Sequence, residues 1–212
     1  MRLSWELIKD RAVRFVNSAY QLPQCEISGN TYSLLNCIAF KYGGTWTIVR
    51  FYYLPESYQY LSGVILSFNN SPYPAPGPPS YVPWLYIGSN GVLYFGDWHL
   101  PGAIYQVTFT PTPGWHTLIA GEYVLNGTYY IVAYLDSPSN SSSTSTTSYL
   151  GLFGMLGPYP YGYIGVGYAY GWPYTNNNWF PYNGYIQYIA LYGGTSSIQG
   201  PLLQWLQQTG GK

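Results

Sequence analysis

From residue 23 onward the chain runs in short blocks in which apolar and polar positions alternate, separated by turn residues. Alternation at period two marks a half-buried strand. It predicts strands at 34–41, 45–53, 61–68, 84–88, 92–95, 104–110, 116–123, 129–135, 161–170 and 184–192. Gly43-Gly44, Asn90-Gly91, Pro113-Gly114, Asn126-Gly127 and Asn183-Gly184 punctuate them as turns. Many short strands without helices between them predict an all-β protein, an antiparallel two-sheet β-sandwich.

The two ends follow another period. Trp5, Ile8, Ala12, Phe15 and Ala19 recur at 3, 4, 3, 4 spacing, and Asp10 with Arg14 forms an i,i+4 pair on the opposite side. With Ser4 as cap and Pro23 just past the end, residues 4–22 read as an N-terminal amphipathic helix. Such a helix either packs on the sandwich or serves as an assembly arm on a neighbouring subunit. At the other end Ile198, Leu202, Leu203 and Leu206, with Trp205 beside them, predict a short C-terminal helix. The expected organisation is a helix over 1–23 and a single sandwich domain over 24–212.

Three segments break the pattern. Residues 71–83 hold six prolines and read as an extended loop that cannot join a ladder. Residues 137–148 are Ser or Thr at ten of twelve positions, a flexible or glycan-bearing loop. Residues 172–183, with Asn176-Asn177-Asn178, read as an aromatic loop.

Three stretches, in order, resemble the concanavalin A-like, laminin-G-like sandwich family. They are 85–96 (LYIGSNGVLYFG), 114–123 (GWHTLIAGEY) with its return 129–136 (YYIVAYLD), and 184–192 (GYIQYIALY) with 195–198 after it. The resemblance covers roughly residues 34–206 and implies a jelly-roll sandwich. It implies no single function, since that fold hosts lectins, glycanases, adhesion modules and capsid parts. The chain departs from the family after Asp136, where Ser137 and the Ser/Thr-rich loop replace a glycine, and it shows no cluster of acidic calcium ligands.

Composition narrows the field. The 212 residues include 27 Tyr, 8 Trp and 8 Phe, while only 7% are charged, against about 25% in typical soluble domains. Disorder is excluded by that aromatic content. No Lys or Arg occurs from Phe51 to Gly211, so phosphate neutralisation, and with it nucleic-acid binding, is excluded as well. Four of the seven bases lie in the first 14 residues. Glu6, Lys9 and Asp10 interrupt any apolar core of a Sec-type signal peptide there. The best candidate for a membrane span, 151–172, contains seven Gly and two Pro and is no spanning helix. Uncharged Tyr/Pro/Gly/Asn/Ser enrichment is similar to exterior structural proteins of viruses of hyperthermophilic archaea and to archaeal surface filaments.

Candidate chemistry is sparse. Glycoside hydrolysis needs two facing carboxyls, and Asp97, Glu122 and Asp136 are the only acids beyond Glu26 and Glu56 in the sandwich; none has a partner two residues away. His99 and His116, with Asp97, are the candidate metal ligands, though packing accounts for His116. With a turn at 30–32, Cys25 lies opposite Cys37, which permits a cross-strand disulfide. Asn69, Asn126 and Asn140 stand in N-glycosylation sequons.

The aromatics weigh most. Along 161–170 one face carries Ile164, Val166, Tyr168 and Tyr170, and the other Tyr161, Tyr163 and two glycines. Tyr161, Tyr163, Trp172, Tyr174, Trp179, Phe180 and Tyr182 exceed what a core needs and suit an interface or a glycan-stacking platform. The expectation is a non-enzymatic structural protein without cofactor or metal. It would self-associate through Tyr/Trp faces, with Trp5, Ile8, Ala12 and Phe15 as an assembly helix, on a virion surface or in an extracellular filament. The alternative is a lectin-like carbohydrate-binding module with a glycan as partner.

Overall fold

The computed structural model describes residues 12–16, 18–54, 61–99, 102–148 and 159–211. Among these residues fourteen strands make two six-stranded antiparallel sheets and one hairpin. The first sheet, A, runs β1 (Val13–Arg14), β14 (Tyr185–Gly193), β5 (Gly44–Tyr53), β10 (Gly114–Leu125), β11 (Thr128–Leu135), β12 (Ser141–Thr146). The second, B, runs β2 (Tyr20–Gln21), β13 (Tyr161–Ile164), β6 (Gly63–Asn69), β7 (Tyr81–Ile87), β8 (Leu93–His99), β9 (Ala103–Phe109). The hairpin joins β3 (Gln24–Ile27) to β4 (Asn30–Ser33).

The sheets enclose one core. Val49, Phe51, Leu118, Ala120 and Ile131 from sheet A meet Ile65, Leu66, Phe95, Val107 and Ile164 from sheet B. Burying such side chains contributes about 1.5–3 kcal/mol each. In β14 a bulge between Ile186 and Tyr188 shifts the alternation, so that Ile186, Ile189 and Leu191 all join this core. Helix α1 (Leu34–Tyr42) adds Leu35, Ile38 and Ala39, packing on β5 and β14.

The closing helix expected from Ile198, Leu202 and Leu206 is present as α2 (Gln199–Thr209), after one 3-10 turn. It lays Leu202 and Leu206 on the outer face of sheet A, against Trp46, Ile48, Ile119, Tyr123 and Tyr134. Gly121 pairs directly with Trp46, whose indole lies over the bare Cα; any Cβ there would collide with it. Among the described residues no helix is long and apolar enough to cross a membrane.

Several expectations are corrected, among them the loop reading of 81–83, which begin β7 with Tyr81 opposite Asn69. Residues 13–14 and 20–21, placed in the N-terminal helix, are instead strands on opposite sheets, with Val13 opposite Ile186 and Ile164 opposite Tyr20. Phe15 is buried in the protein's own core beside Tyr182, not offered to a neighbour, and Ala12 is exposed. Trp5 and Ile8 lie outside the described residues.

The stretch 34–41 is helix α1, not strand. Ser33 holds Asn36 Oδ1 at its start, and Gly43, at φ 71°, closes its end in the left-handed conformation. Residues 141–146, read as loop, form β12, because threonine and serine tolerate a ladder where no core burial is demanded. The strand expected over 161–170 stops at Ile164, since Gly165 turns the chain at φ 91° with the Phe15 ring against it.

Cys25 and Cys37 are bonded, with Cα atoms 6.4 Å apart. The bridge is not cross-strand. The hairpin turns at Ser28-Gly29, so Cys25 faces Tyr32, and the disulfide ties β3 to α1.

Candidate functional site

The two carboxyls that the sequence leaves far apart meet between the sheets. Asp97 comes from β8 and Glu122 from β10, and both are fully buried. Tyr129, on β11 and also fully buried, stands between them. Its hydroxyl donates to Glu122 Oε2 at 2.5 Å and lies 3.5 Å from Asp97 Oδ2. Asp97 Oδ1 accepts the Trp98 backbone N–H at 2.6 Å.

Burial raises both carboxyls above the ordinary carboxylate range, and for Glu122 the neighbouring Asp97 charge adds to the rise. Two acids in a dry interior cannot both ionise cheaply. The unit is therefore a proton-holding pair bridged by a phenol. The space between the carboxyls is occupied by the Tyr129 hydroxyl, where a glycosidase would need its substrate.

A cleft of about 340 Å³ opens over Asp97. Tyr81, Trp98, Ile104, Tyr159, Tyr170 and Trp172 are among its walls. The Tyr159 hydroxyl is 2.6 Å from Ser80 Oγ, and burial pushes its pKa up to about 12, so it remains a neutral phenol. Glu122 and Tyr129 are not part of the lining.

The surplus aromatics are mostly consumed within the chain. Tyr86 and Tyr94, opposite each other on β7 and β8, stack at 4.8 Å and 9° on the outer face of sheet B. The 165–183 loop folds over them, bringing Trp172 and Tyr174 onto the stack. The Tyr86 hydroxyl donates to Pro173 O at 3.1 Å. Beside this, Trp179 sits among Tyr73, Tyr163 and Tyr168 and donates its indole N–H to Ala75 O at 2.7 Å.

Of the seven expected interface residues, Tyr163, Trp172, Phe180 and Tyr182 are buried. Tyr161 and Trp179 are half-buried, and of the seven only Tyr174, 59% exposed, is open to solvent. A loop folded back on its own sheet is not visible in a one-dimensional aromatic count.

His116 is bound on both ring nitrogens, Nδ1 to Asp136 Oδ2 and Nε2 to Thr112 O, each at 2.6 Å. Both partners are acceptors, so the ring is doubly protonated when both bonds are made. Burial alone would lower its pKa, but the Asp136 and Thr112 hydrogen bonds outweigh this and raise it. Asp97 is engaged elsewhere, and the His99 side chain lies outside the described residues. Among the described residues no three His, Cys, Asp or Glu side chains converge as metal ligands.

Arg50 holds the chain's end. Its Nη1 donates to Gly211 O at 2.9 Å and to Thr117 Oγ1 at 3.1 Å, while Nε donates to Gln187 Oε1 at 2.6 Å. Thr117 Oγ1 and the Tyr188 hydroxyl donate to the same Gly211 carbonyl, at 2.9 and 3.0 Å. Nothing in the sequence pattern marks this contact.

Of the sequon asparagines, Asn69 is buried, donating to Ser67 Oγ and accepting from Tyr168 N, so it is closed to modification. Asn126 at the β10–β11 turn and Asn140 before β12 are exposed. No protein family and no curated protein sequence matches this chain.

Proposed function

We propose that this chain is a non-enzymatic structural protein that assembles with copies of itself, in a virion surface, an extracellular filament or a cell-surface array. Its sandwich is read as the concanavalin A-like, jelly-roll type. The observation that carries the assembly reading is the edge of sheet A. There β12 presents six consecutive Ser and Thr residues without charge, proline or bulge. Proteins that remain monomeric guard such edges with lysine, proline or irregularity. A formal net charge of zero removes the repulsion that would otherwise keep copies apart.

The testing variant is Ser141→Lys/Ser145→Lys, which charges the edge. Light scattering across a concentration series and electron microscopy should show oligomers or polymers for the wild type and monomers for the variant. A wild type that stays monomeric at high concentration overturns the reading.

A second reading, a lectin-like module, is favoured by Tyr174, which is 59% exposed with its ring 28° from that of Tyr94. Tyr161 and Trp179 are further partly exposed rings. Loss of glycan binding in Tyr174→Ala and Trp179→Ala would support it, and unchanged binding would remove it.

A further inference from the structure

The register of β11 against β12 builds a step on the outer face of sheet A. Tyr130 stands opposite Ser145, Val132 opposite Ser143, and Tyr134 opposite Ser141. All three β11 side chains rise from the face that α2 covers further on. Beside them the three serines, all exposed, rise far less. A tall ring-bearing wall thus runs along a low floor of hydroxyls, enclosing a groove of about 360 Å³. Gln199 at the start of α2 closes one end, its amide donating to the Tyr134 hydroxyl.

The wall is rigid. Tyr130 stacks on Tyr123 at 5.2 Å and 19°, and Tyr123 stacks on Trp46 at 5.8 Å and 17°. One face of Tyr130 is thereby covered, and the other looks out over Ser145. The floor hydroxyls repeat about 7 Å apart, two residues of strand rise. No charged side chain lines the groove.

We propose that this groove binds a neutral oligosaccharide, its apolar C–H face on Tyr130 and its hydroxyl groups on Ser141, Ser143, Ser145 and Gln199. A peptide strand from a second copy fits less well, because it would add in the plane of the sheet beyond β12 and leave the step above it empty. Free phosphate, nucleotides and acidic sugars lack a cation here. The proposal deepens the carbohydrate-binding reading on a surface remote from Tyr174 and does not depend on assembly.

The test uses the full chain and neutral hexasaccharides of glucose, mannose and N-acetylglucosamine, with binding read by calorimetry. Ser143→Tyr fills the groove and Tyr130→Ala removes its wall. Two properties serve as folding and reading controls: the thermal midpoint of every variant, and binding by Tyr174→Ala. At least one hexasaccharide should bind in the millimolar range or tighter, roughly tenfold weaker in both groove variants and unchanged in Tyr174→Ala.

No binding by any of the three sugars overturns the proposal. So does binding lost in Tyr174→Ala but kept in Ser143→Tyr, which would leave the lectin reading standing at the other surface. If Ser143→Tyr abolishes self-association and leaves sugar binding intact, the groove is a contact between copies and the proposal falls.

Discussion

Tyr129 donates its hydroxyl proton to Glu122 at 2.5 Å, in an interior where neither residue reaches water. The acid pair it bridges holds protons more firmly in the folded chain than in the unfolded one. Between the ordinary carboxyl values and the raised ones, unfolding therefore releases protons, and stability falls as pH rises.

Glu122→Gln keeps a side chain of the same shape that cannot ionise. Thermal midpoints measured from pH 3 to 9 should fall with pH in the wild type and fall less in the variant. The variant should gain on the order of 1 kcal/mol at pH 8. Parallel profiles would sink this account of the pair. Tyr129→Phe removes the donor while leaving the acids buried and should cost about 2–3 kcal/mol.

His116 gives a second pH signature of the same sign. Its folded pKa lies above 6.5, so its contribution is complete below that value and is lost as pH rises through the raised one. His116→Gln should destabilise by about 1–2 kcal/mol at pH 5.5 and by clearly less at pH 8.5, in denaturant titrations. An equal loss at both pH values would mean the ring is neutral and acts through packing alone.

The Gly211 carbonyl gathers donors from β5, β10 and β14. A chain ending at Thr209 leaves those three donors without it. The urea midpoint should drop by the equivalent of about 2 kcal/mol. Arg50→Lys, which keeps the charge but loses the Nε donor to Gln187, should lose part of that amount.

Gly121→Ala places a methyl group where the Trp46 ring lies. Overpacking of this kind costs about 1–3 kcal/mol. Because the Trp46 indole also donates to Thr195 O, just before α2, the near-ultraviolet circular dichroism of the variant should change along with its thermal midpoint.

Reduction of Cys25–Cys37, twelve residues apart, releases α1 from the hairpin. The loss should be about 2–3 kcal/mol, measured as the difference between wild type and Cys25→Ser/Cys37→Ser under oxidising conditions.

The strands are legible where apolar and polar residues alternate along the chain, even in β5 and β10, which are buried on both faces. β5, β10, β11 and β14 lie within two residues of the strands expected from period two, and Asn126-Gly127 turns β10 into β11 with both residues at positive φ. The reading failed where another constraint dominated. Leu34–Tyr42 alternates loosely, yet Ser33 and Gly43 bracket it as helix caps do, and that signal outranked period two. β12 carries no hydrophobic pattern, and Ser141, Ser143 and Ser145 on its outer face are exposed.

Cys25 and Cys37 are joined between a strand and a helix rather than across a ladder, a distinction their spacing does not make. Asp97 and Glu122 could not be matched from spacing: they sit on different sheets, and only the closure of the sandwich brings them to one hydroxyl.

β14 has a last consequence, for synthesis. It enters the sheet between β1 and β5, roughly 140 residues after the strand it completes. Until it emerges from the ribosome, β5 presents an open, largely apolar edge, and β1 lacks the strand it pairs with among the described residues. Sheet A is therefore completed only once the chain through residue 193 is available, and a product truncated before β14 leaves β5 free to pair with whatever strand it meets.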